Sequence, residues 1–354
     1  MAISKEEWVT HDNLQKLRRA VEGLEAKKVV LVGDVMLDRY VHGYANNLDP
    51  TAAVPVLKET YRQQGAGAAA HVARGLLSFG LQPELFAVVG DDDAGRDLLG
   101  LLDDEGVSTE GIVVIEGRKT TVKTRLIAAR ESLINQKQLL MRWDSEESAA
   151  LPEDTSSAII DKACAALTNA AVLVISDYGK GVLSDSGAHR LVAAATEAGI
   201  PVISDPKLTG LHRIRGAQVA IMKARGLNLM RRRIGLDVAS EAANTILSEN
   251  DIGSLLVAGG EDGTTLYKSD GTSLHIPCSA ANPRQQIGLL DAVNVAMTTA
   301  LAAGLSPEQG CLLANSACEV ILSGDSTSME TVLSARALAT RLDEVAWSMH
   351  ISQR

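Results

Sequence analysis

The 354-residue chain reads as an α/β protein with a mostly parallel central sheet and a small β lid. Three observations predict this. From about residue 28, short apolar β-rich runs alternate with amphipathic helical stretches, as a parallel sheet with crossover helices requires. After residue 286 the pattern is helical throughout. Two extended segments, 40–61 and 120–144 (strands at 120–129 and 138–144), break the alternation and read as strands outside the main sheet.

The elements follow in order. Residues 11–24 place Leu14, Leu17, Val21 and Leu24 at helical spacing, a packed leading helix within an N-terminal extension over 1–27. VVLVG (29–33) is an apolar strand ending in glycine. An Ala-rich helix is expected over 67–79, a strand at ELFAVVG (84–90) and a helix over 93–104. AVLVISD (171–177), a helix over 184–198 and IPVISD (200–205) make a strand–helix–strand unit. SLLVAG (254–259) is a further strand, followed by a hairpin turning at Asp270-Gly271. Helices are expected over 287–303, 306–323 and 330–345. No repeat, low-complexity tract or Pro/Gly linker divides the chain, so 28–354 reads as one domain with a lid.

The formal charge of −10 and a pI of about 5.3 argue against nucleic acid or an anionic membrane as partner, since both need a positive field. Anionic small molecules remain compatible where cations are focused locally. Cys164, Cys278, Cys311 and Cys318 show no CxxC or Cys/His ligand spacing, so they read as thiols in a reduced, cytoplasmic setting with no metal site. There is no apolar signal core near residue 1 and no run of bilayer-spanning length, so neither targeting nor membrane insertion is expected.

Three motifs carry candidate chemistry. GDVMLDRY (33–40) puts Asp34 and Asp38 after a strand, where carboxylates accept hydrogen bonds from sugar hydroxyls; taken alone, this motif is better read as a solvated loop with a capping Asp. SDYGKGVL (176–183) sets Asp177, Tyr178 and Lys180 beside Gly179 and Gly181, which let backbone approach a ligand. DPK (205–207) adds Asp205 and Lys207 at the next strand end. Three successive strand ends bearing Asp, two with Lys close behind, point to a polar-ligand site at the carboxyl edge of the sheet. Lys123 and Arg125 on the lid can meet a substrate phosphate, or simply form a solvated strand face. Arg225 with Arg231, Arg232 and Arg233 is a basic cluster, read as a solvated helix face or a docking face for an acidic group.

In chain order, GDVMLDRY, a Gly/Ala-rich helix start at 65–73, TVKTRLIA, LLMRWD, SDYGKGVL, DPK and LAAG (301–304) resemble the ribokinase-like carbohydrate kinases over about residues 28–340. Within these the chain is most similar to bacterial heptose-phosphate kinases that feed ADP-heptose synthesis. The resemblance implies an α/β/α sandwich, a β lid used for homodimerisation, and magnesium-ATP-dependent phosphorylation of a sugar or sugar phosphate. It places the sugar-binding acid on Asp34 with Asp38 nearby, and Gly67, His71, Lys123, Arg125, Asp177, Lys180 and Lys207 near substrate. Lys223, Gly260, Gly263 and Asn315 fall on the nucleotide side, with Gly259 beside them. Many such kinases carry a C-terminal nucleotidylyltransferase domain; the resemblance here covers the kinase part, so that second activity is expected to be absent.

The departures lie on the phosphoryl-transfer side. The family's Gly-Ala-Gly-Asp helix start, where backbone amides hold developing phosphoryl charge and Asp takes a hydroxyl proton, falls on Gly288, Leu289, Leu290 and Asp291. The base and first glycine are retained, while Leu290 replaces the glycine before the base. The usual Asp-Val-Thr lead is missing over Asn282 to Gln286. The family's Asn-x-x-Glu, which acts on magnesium, is here Lys223-Ala-Arg-Gly226. His71 stands where Asn usually faces the sugar. Two readings follow: a sugar kinase with Asp291 as base, or a catalytically inactive relative that binds sugar phosphate in a regulatory or scaffolding role.

Overall fold

The computed structural model describes residues 2–3, 10–24, 26–130, 133–147, 149–280, 287–324 and 332–352. A ten-stranded sheet is built from β1 (Ala2–Ile3), β2 (Lys28–Gly33), β5 (Gln82–Gly90), β6 (Ile112–Ile115), β9 (Val172–Ser176), β10 (Val202–Ser204), β11 (Val219–Lys223), β12 (Ser254–Ala258), β13 (Thr264–Lys268) and β14 (Ser273–Ile276). Its spatial order is β1-β14-β13-β12-β11-β10-β9-β2-β5-β6, and only β13 runs antiparallel to its neighbours. Side-chain alternation along each strand splits the core in two. Val29 and Leu31 of β2, with Val172 and Val174 of β9, face one layer; Val30, Val32, Leu173 and Ile175 face the other.

The first layer comprises α1 (His11–Glu22), α2 (Ala69–Ser78), α3 (Asp93–Asp104), α8 (Leu289–Ala302), α9 (Pro307–Leu322) and α10 (Ala335–Ser352). The second comprises α4 (Glu153–Ala166), α5 (Asp185–Glu197), α6 (Ala224–Arg233) and α7 (Ala239–Asn250). Local chemistry sets the helix starts: Thr10, Asp92 and Ser184 accept amide hydrogen bonds as N-caps, and Ser306 with Gln309 closes a capping box. The α1 helix buries Leu14, Leu17 and Val21 in the same core as α8 to α10, so residues 11–22 are packed into the domain. The hairpin turns at Gly271, whose φ is 80°, while Asp270 Oδ1 accepts the Thr272 amide at 2.9 Å.

A second sheet of four strands, β4 (Pro55–Ala68), β3 (Val35–Leu48), β7 (Val122–Arg130) and β8 (Leu133–Ser145), is the lid. It begins earlier than the 40–61 boundary. Because β3 starts at Val35, directly after β2, Asp38 sits on a lid strand opposite Lys123 rather than in a loop. The β8 edge exposes Leu139, Met141 and Trp143, with a bulge between Leu139 and Met141; β4 and its approach expose Val54, Val56 and Tyr61. Among the described residues no helix is long and apolar enough to cross a membrane.

Candidate functional site at the carboxyl edge of the sheet

The SDYGKGVL segment leaves β9 and wraps around Asp34. The Asp34 carboxylate accepts the backbone amides of Tyr178 at 2.9 Å, Lys180 at 3.0 Å and Val182 at 3.4 Å. Gly179 and Gly181, with φ of 67° and 98°, make that wrapping possible. Asp34 is only 2% exposed, and burial lifts its pKa while the amide bonds oppose the rise. The solvated-loop alternative for GDVMLDRY therefore fails: Asp34 is an interior anchor for the neighbouring loop. From outside, Asp177 accepts the Gly179 amide at 2.8 Å and pairs with Arg213 at 2.9 Å, which also reaches Asp185 at 2.7 Å. Asp177 is thereby engaged within the protein.

A second group converges under the lid. Asp291, in the first turn of α8, accepts the Tyr178 hydroxyl at 3.1 Å. Burial raises its pKa most strongly, nearby His71, the Tyr178 bond and Lys223 pull it down, and Asp38 pushes it up. Lys123 lies 5.7 Å from the Tyr178 ring centroid, and burial lowers its pKa against the pull of Asp38. Asp38 is paired with Arg125, whose guanidinium lies 5.0 Å from the Tyr40 ring centroid. Gly67 is required where it stands, because a Cβ there would collide with the Asp38 carboxylate. The structure thus brings Asp291 and Lys123 to Tyr178, which the sequence reading had noted only within its motif, with His71 beside Asp291 and the Asp38–Arg125 pair and Gly67 adjoining.

The remaining cations flank the same loop. Lys180 pairs with Glu146, just beyond the end of β8, and the Lys207 stem packs against Gly179. Glu146 and Arg213 went unrecognised in the sequence, because charged residues on lid and surface segments carry no periodic signal that marks them.

Beneath this layer Asp205 is buried against Ser176 Oγ at 3.2 Å and Asn294 Nδ2 at 3.1 Å, tying β9 and β10 to α8. Its pKa is pushed well up, first by burial and then by the charge of Asp291. An acid raised in the folded state contributes stability below its unfolded pKa and loses it as pH rises toward the folded value. Relative to Asp205→Asn, the wild type is expected to lose up to about 1.4 kcal/mol per pH unit across that window. Chemical denaturation of both proteins at pH 4 and pH 8 checks this, with the variant gaining on the wild type only at pH 8.

The nucleotide-side candidates are placed differently. Asn315 accepts Thr264 Oγ1 at 3.3 Å and donates to Pro277 O at 3.4 Å and Glu319 at 3.2 Å, so its amide is taken up by an interior network. Gly263 has φ of 86°, and a Cβ there would strike the Ile276 carbonyl; strand packing alone demands this glycine. Gly260 is a turn glycine with φ of 65°. In the expected anion hole, Gly288 takes φ of 77° ahead of α8. Leu289 is 4% exposed and turned into the core, and Leu290 is half-buried against the core's edge. The altered lead over Asn282 to Gln286 lies outside the described residues.

A magnesium ion needs oxygen ligands in octahedral array. At the end of β11 and the start of α6, Lys223, Ala224, Arg225 and Gly226 offer cations or no side-chain donor. The carboxylates at the strand ends are bound to amides, arginines, Tyr178 or Asn294 as described above. Among the described residues no three His, Cys, Asp or Glu side chains form a metal-binding group. These residues do not fit a bound magnesium ion.

Comparison with known proteins agrees with this architecture. The bifunctional protein HldE of Paramagnetospirillum magneticum is 35% identical over 317 residues, covering 87% of this chain and 62% of its own length. HldE of Shewanella sediminis is 35% identical over 317 residues, covering 88% and 63%. The chain therefore spans about three fifths of the length of these relatives. Phosphofructokinase-2 from Escherichia coli, in its tetrameric inhibited form, superposes with a TM-score of 0.70 at 18% identity, covering 91% of this chain and 99% of that one. Arabidopsis thaliana ribokinase, complexed with ribose and ATP, gives 0.65 at 17% identity, covering 90% and 99%. At such identities the likeness is one of fold. Residues 26–331 match the description pfkB family carbohydrate kinase, and with this sheet order, lid and carboxyl-edge site the chain belongs to that family.

Proposed function

We propose that the protein binds a sugar phosphate, of the heptose-phosphate class suggested by the HldE relatives, and that its phosphoryl transfer from ATP is impaired. The observation that carries this reading is the convergence of Asp291, Tyr178, Lys123 and the Asp38–Arg125 pair beneath the lid. In this reading Asp38 and Arg125 meet sugar hydroxyls, with Gly67 and His71 nearby. Lys123, Lys180 and Lys207 supply charge to a substrate phosphate. Asp291, with its raised pKa, is the proton acceptor for the attacking hydroxyl. Asp34 and Asp177 serve by shaping the loop that carries Tyr178 and Lys180.

A second reading, a catalytically silent binder, is favoured by the cationic Lys223 to Gly226 stretch and by Leu290 beside the base. Calorimetry with ATP in the presence of magnesium, and separately with heptose and hexose phosphates, separates the readings. Binding of both ligands is expected for a kinase; binding of sugar phosphate alone supports the silent binder, and binding of neither overturns both.

The lid is also proposed as a dimer interface. Leu139, Met141 and Trp143 on one edge strand, and Val54 and Val56 at the other side, leave apolar surface that a second copy would cover. Light scattering at micromolar concentration should give twice the 37.4 kDa chain mass, and Trp143→Asp with Met141→Asp should shift it toward monomer. A monomeric wild type would remove the lid interface.

A further inference from the structure

Three lysines from three separate segments meet around one turn. Lys123 comes from β7 and lies over Tyr178; Lys180 belongs to the turn itself; Lys207 follows β10 and packs on Gly179. The turn's own carboxylate does not neutralise them, because Asp177 is committed to Gly179 and Arg213. Asp34 is equally occupied by backbone amides. Asp38 and Asp144 act on Lys123, while Glu146 is the carboxylate that binds Lys180 directly. That hydrogen bond lowers the Glu146 pKa most, and the charges of Lys180, Lys123 and Lys207 lower it further. The Lys180 side chain is 13% exposed and that of Glu146 34%, so the anionic partner is the more solvent-exposed of the pair.

Resting on the sugar-phosphate reading above, we propose that Glu146 is an internal anion held in the place of the substrate's phosphate, which the phosphate must displace in order to bind. A phosphate monoester carries about −1.5 to −2 charge at neutral pH and offers three acceptor oxygens, against one charge for Glu146. It therefore displaces the carboxylate from the lysines. A neutral sugar brings no such replacement, and would have to bind with Glu146 still in place. Glu146 immediately follows β8, so its displacement also releases a contact between the lid and the loop after β9. Arrival of the phosphate is thereby linked to lid position. An ordinary surface ion pair of the same composition would leave ligand affinity unchanged when the acid is neutralised.

The test uses the full-length protein and calorimetry with inorganic phosphate, sedoheptulose 7-phosphate and unphosphorylated sedoheptulose. Glu146→Gln, with Glu146→Ala as a second variant, is expected to bind both phosphate-bearing probes about three- to tenfold more tightly than wild type, leaving the neutral sugar unchanged. Adding Lys180→Met to Glu146→Gln should abolish the gain. Inorganic phosphate bound no more tightly by either Glu146 variant overturns the proposal. Tighter binding of inorganic phosphate with no binding of any sugar phosphate upholds the internal anion and instead overturns the sugar-phosphate reading.

Discussion

Wild-type protein supplied with magnesium-ATP and heptose or hexose phosphates is expected to turn over well below the range of about 1–100 per second usual for kinases. Phosphoryl transfer leaves the protein little covalent work, so positioning and electrostatic stabilisation supply most of the acceleration. On the proposed reading both are weakened here. The Lys223 to Gly226 stretch brings no oxygen ligand for a divalent cation, and Leu290 puts a branched side chain on the first turn of α8, beside the base. Any residual activity should depend on Asp291. Because burial raises its pKa, and the ionised form is the proton acceptor, that activity should decline as pH falls through a value above the ordinary carboxylate range.

The repair experiment follows from the packing. Leu290→Gly alone is expected to restore nothing, since the cation ligands are still missing. Combined with Lys223→Asn and Gly226→Glu it should raise turnover by orders of magnitude. Position 226 has space: a Cβ there would lie 3.4 Å from Leu208 Cδ2, an ordinary contact. Leu289 should be left in place, because it is buried in the main core and its truncation would cost about 2–5 kcal/mol. Robust phosphorylation by the wild type, abolished by Asp291→Asn, would sink the impairment reading.

Asp34→Ala is expected to destabilise the fold by roughly 2–4 kcal/mol, measured as a lowered urea midpoint. From the sequence alone the effect should be small, since a carboxylate in an open loop has little to lose. The structure predicts a much larger loss. Three backbone amides of the loop after β9 end on this one carboxylate, and removing it leaves buried donors without acceptors. Asp34→Asn keeps one acceptor oxygen but turns an amino group toward the amides, so an intermediate loss is expected. Sugar-phosphate binding should weaken in both variants, because the loop carries Tyr178 and Lys180 into the site. Unchanged stability with weakened sugar binding would instead restore Asp34 as a direct sugar ligand.

Much of this protein is legible in its amino-acid order, and the reason is periodicity. The strands at 28–33, 82–90 and 172–176 and the helix at 93–104 announce themselves because burial on one or both faces imposes a repeat of 2 or 3.6 residues. The lid was legible for a related reason: two extended polar segments have no place inside a doubly covered sheet. The strand-end acids Asp34, Asp38, Asp177 and Asp205 could also be named, since carboxylates at those positions are conspicuous against apolar runs. What each acid does could not be read there. Whether a carboxylate faces ligand or protein depends on which distant groups reach it, and those groups lie far away in sequence: Tyr178 and Val182 for Asp34, Arg125 for Asp38, Asn294 for Asp205. The same holds for Glu146, whose meaning comes from lysines 23 to 61 residues distant in the chain. Composition and spacing determined the layers and the lid and, together with the family resemblance, named the candidate residues; only the tertiary contacts decided which charges are already paired within the protein, because an electrostatic partner is chosen by distance in space.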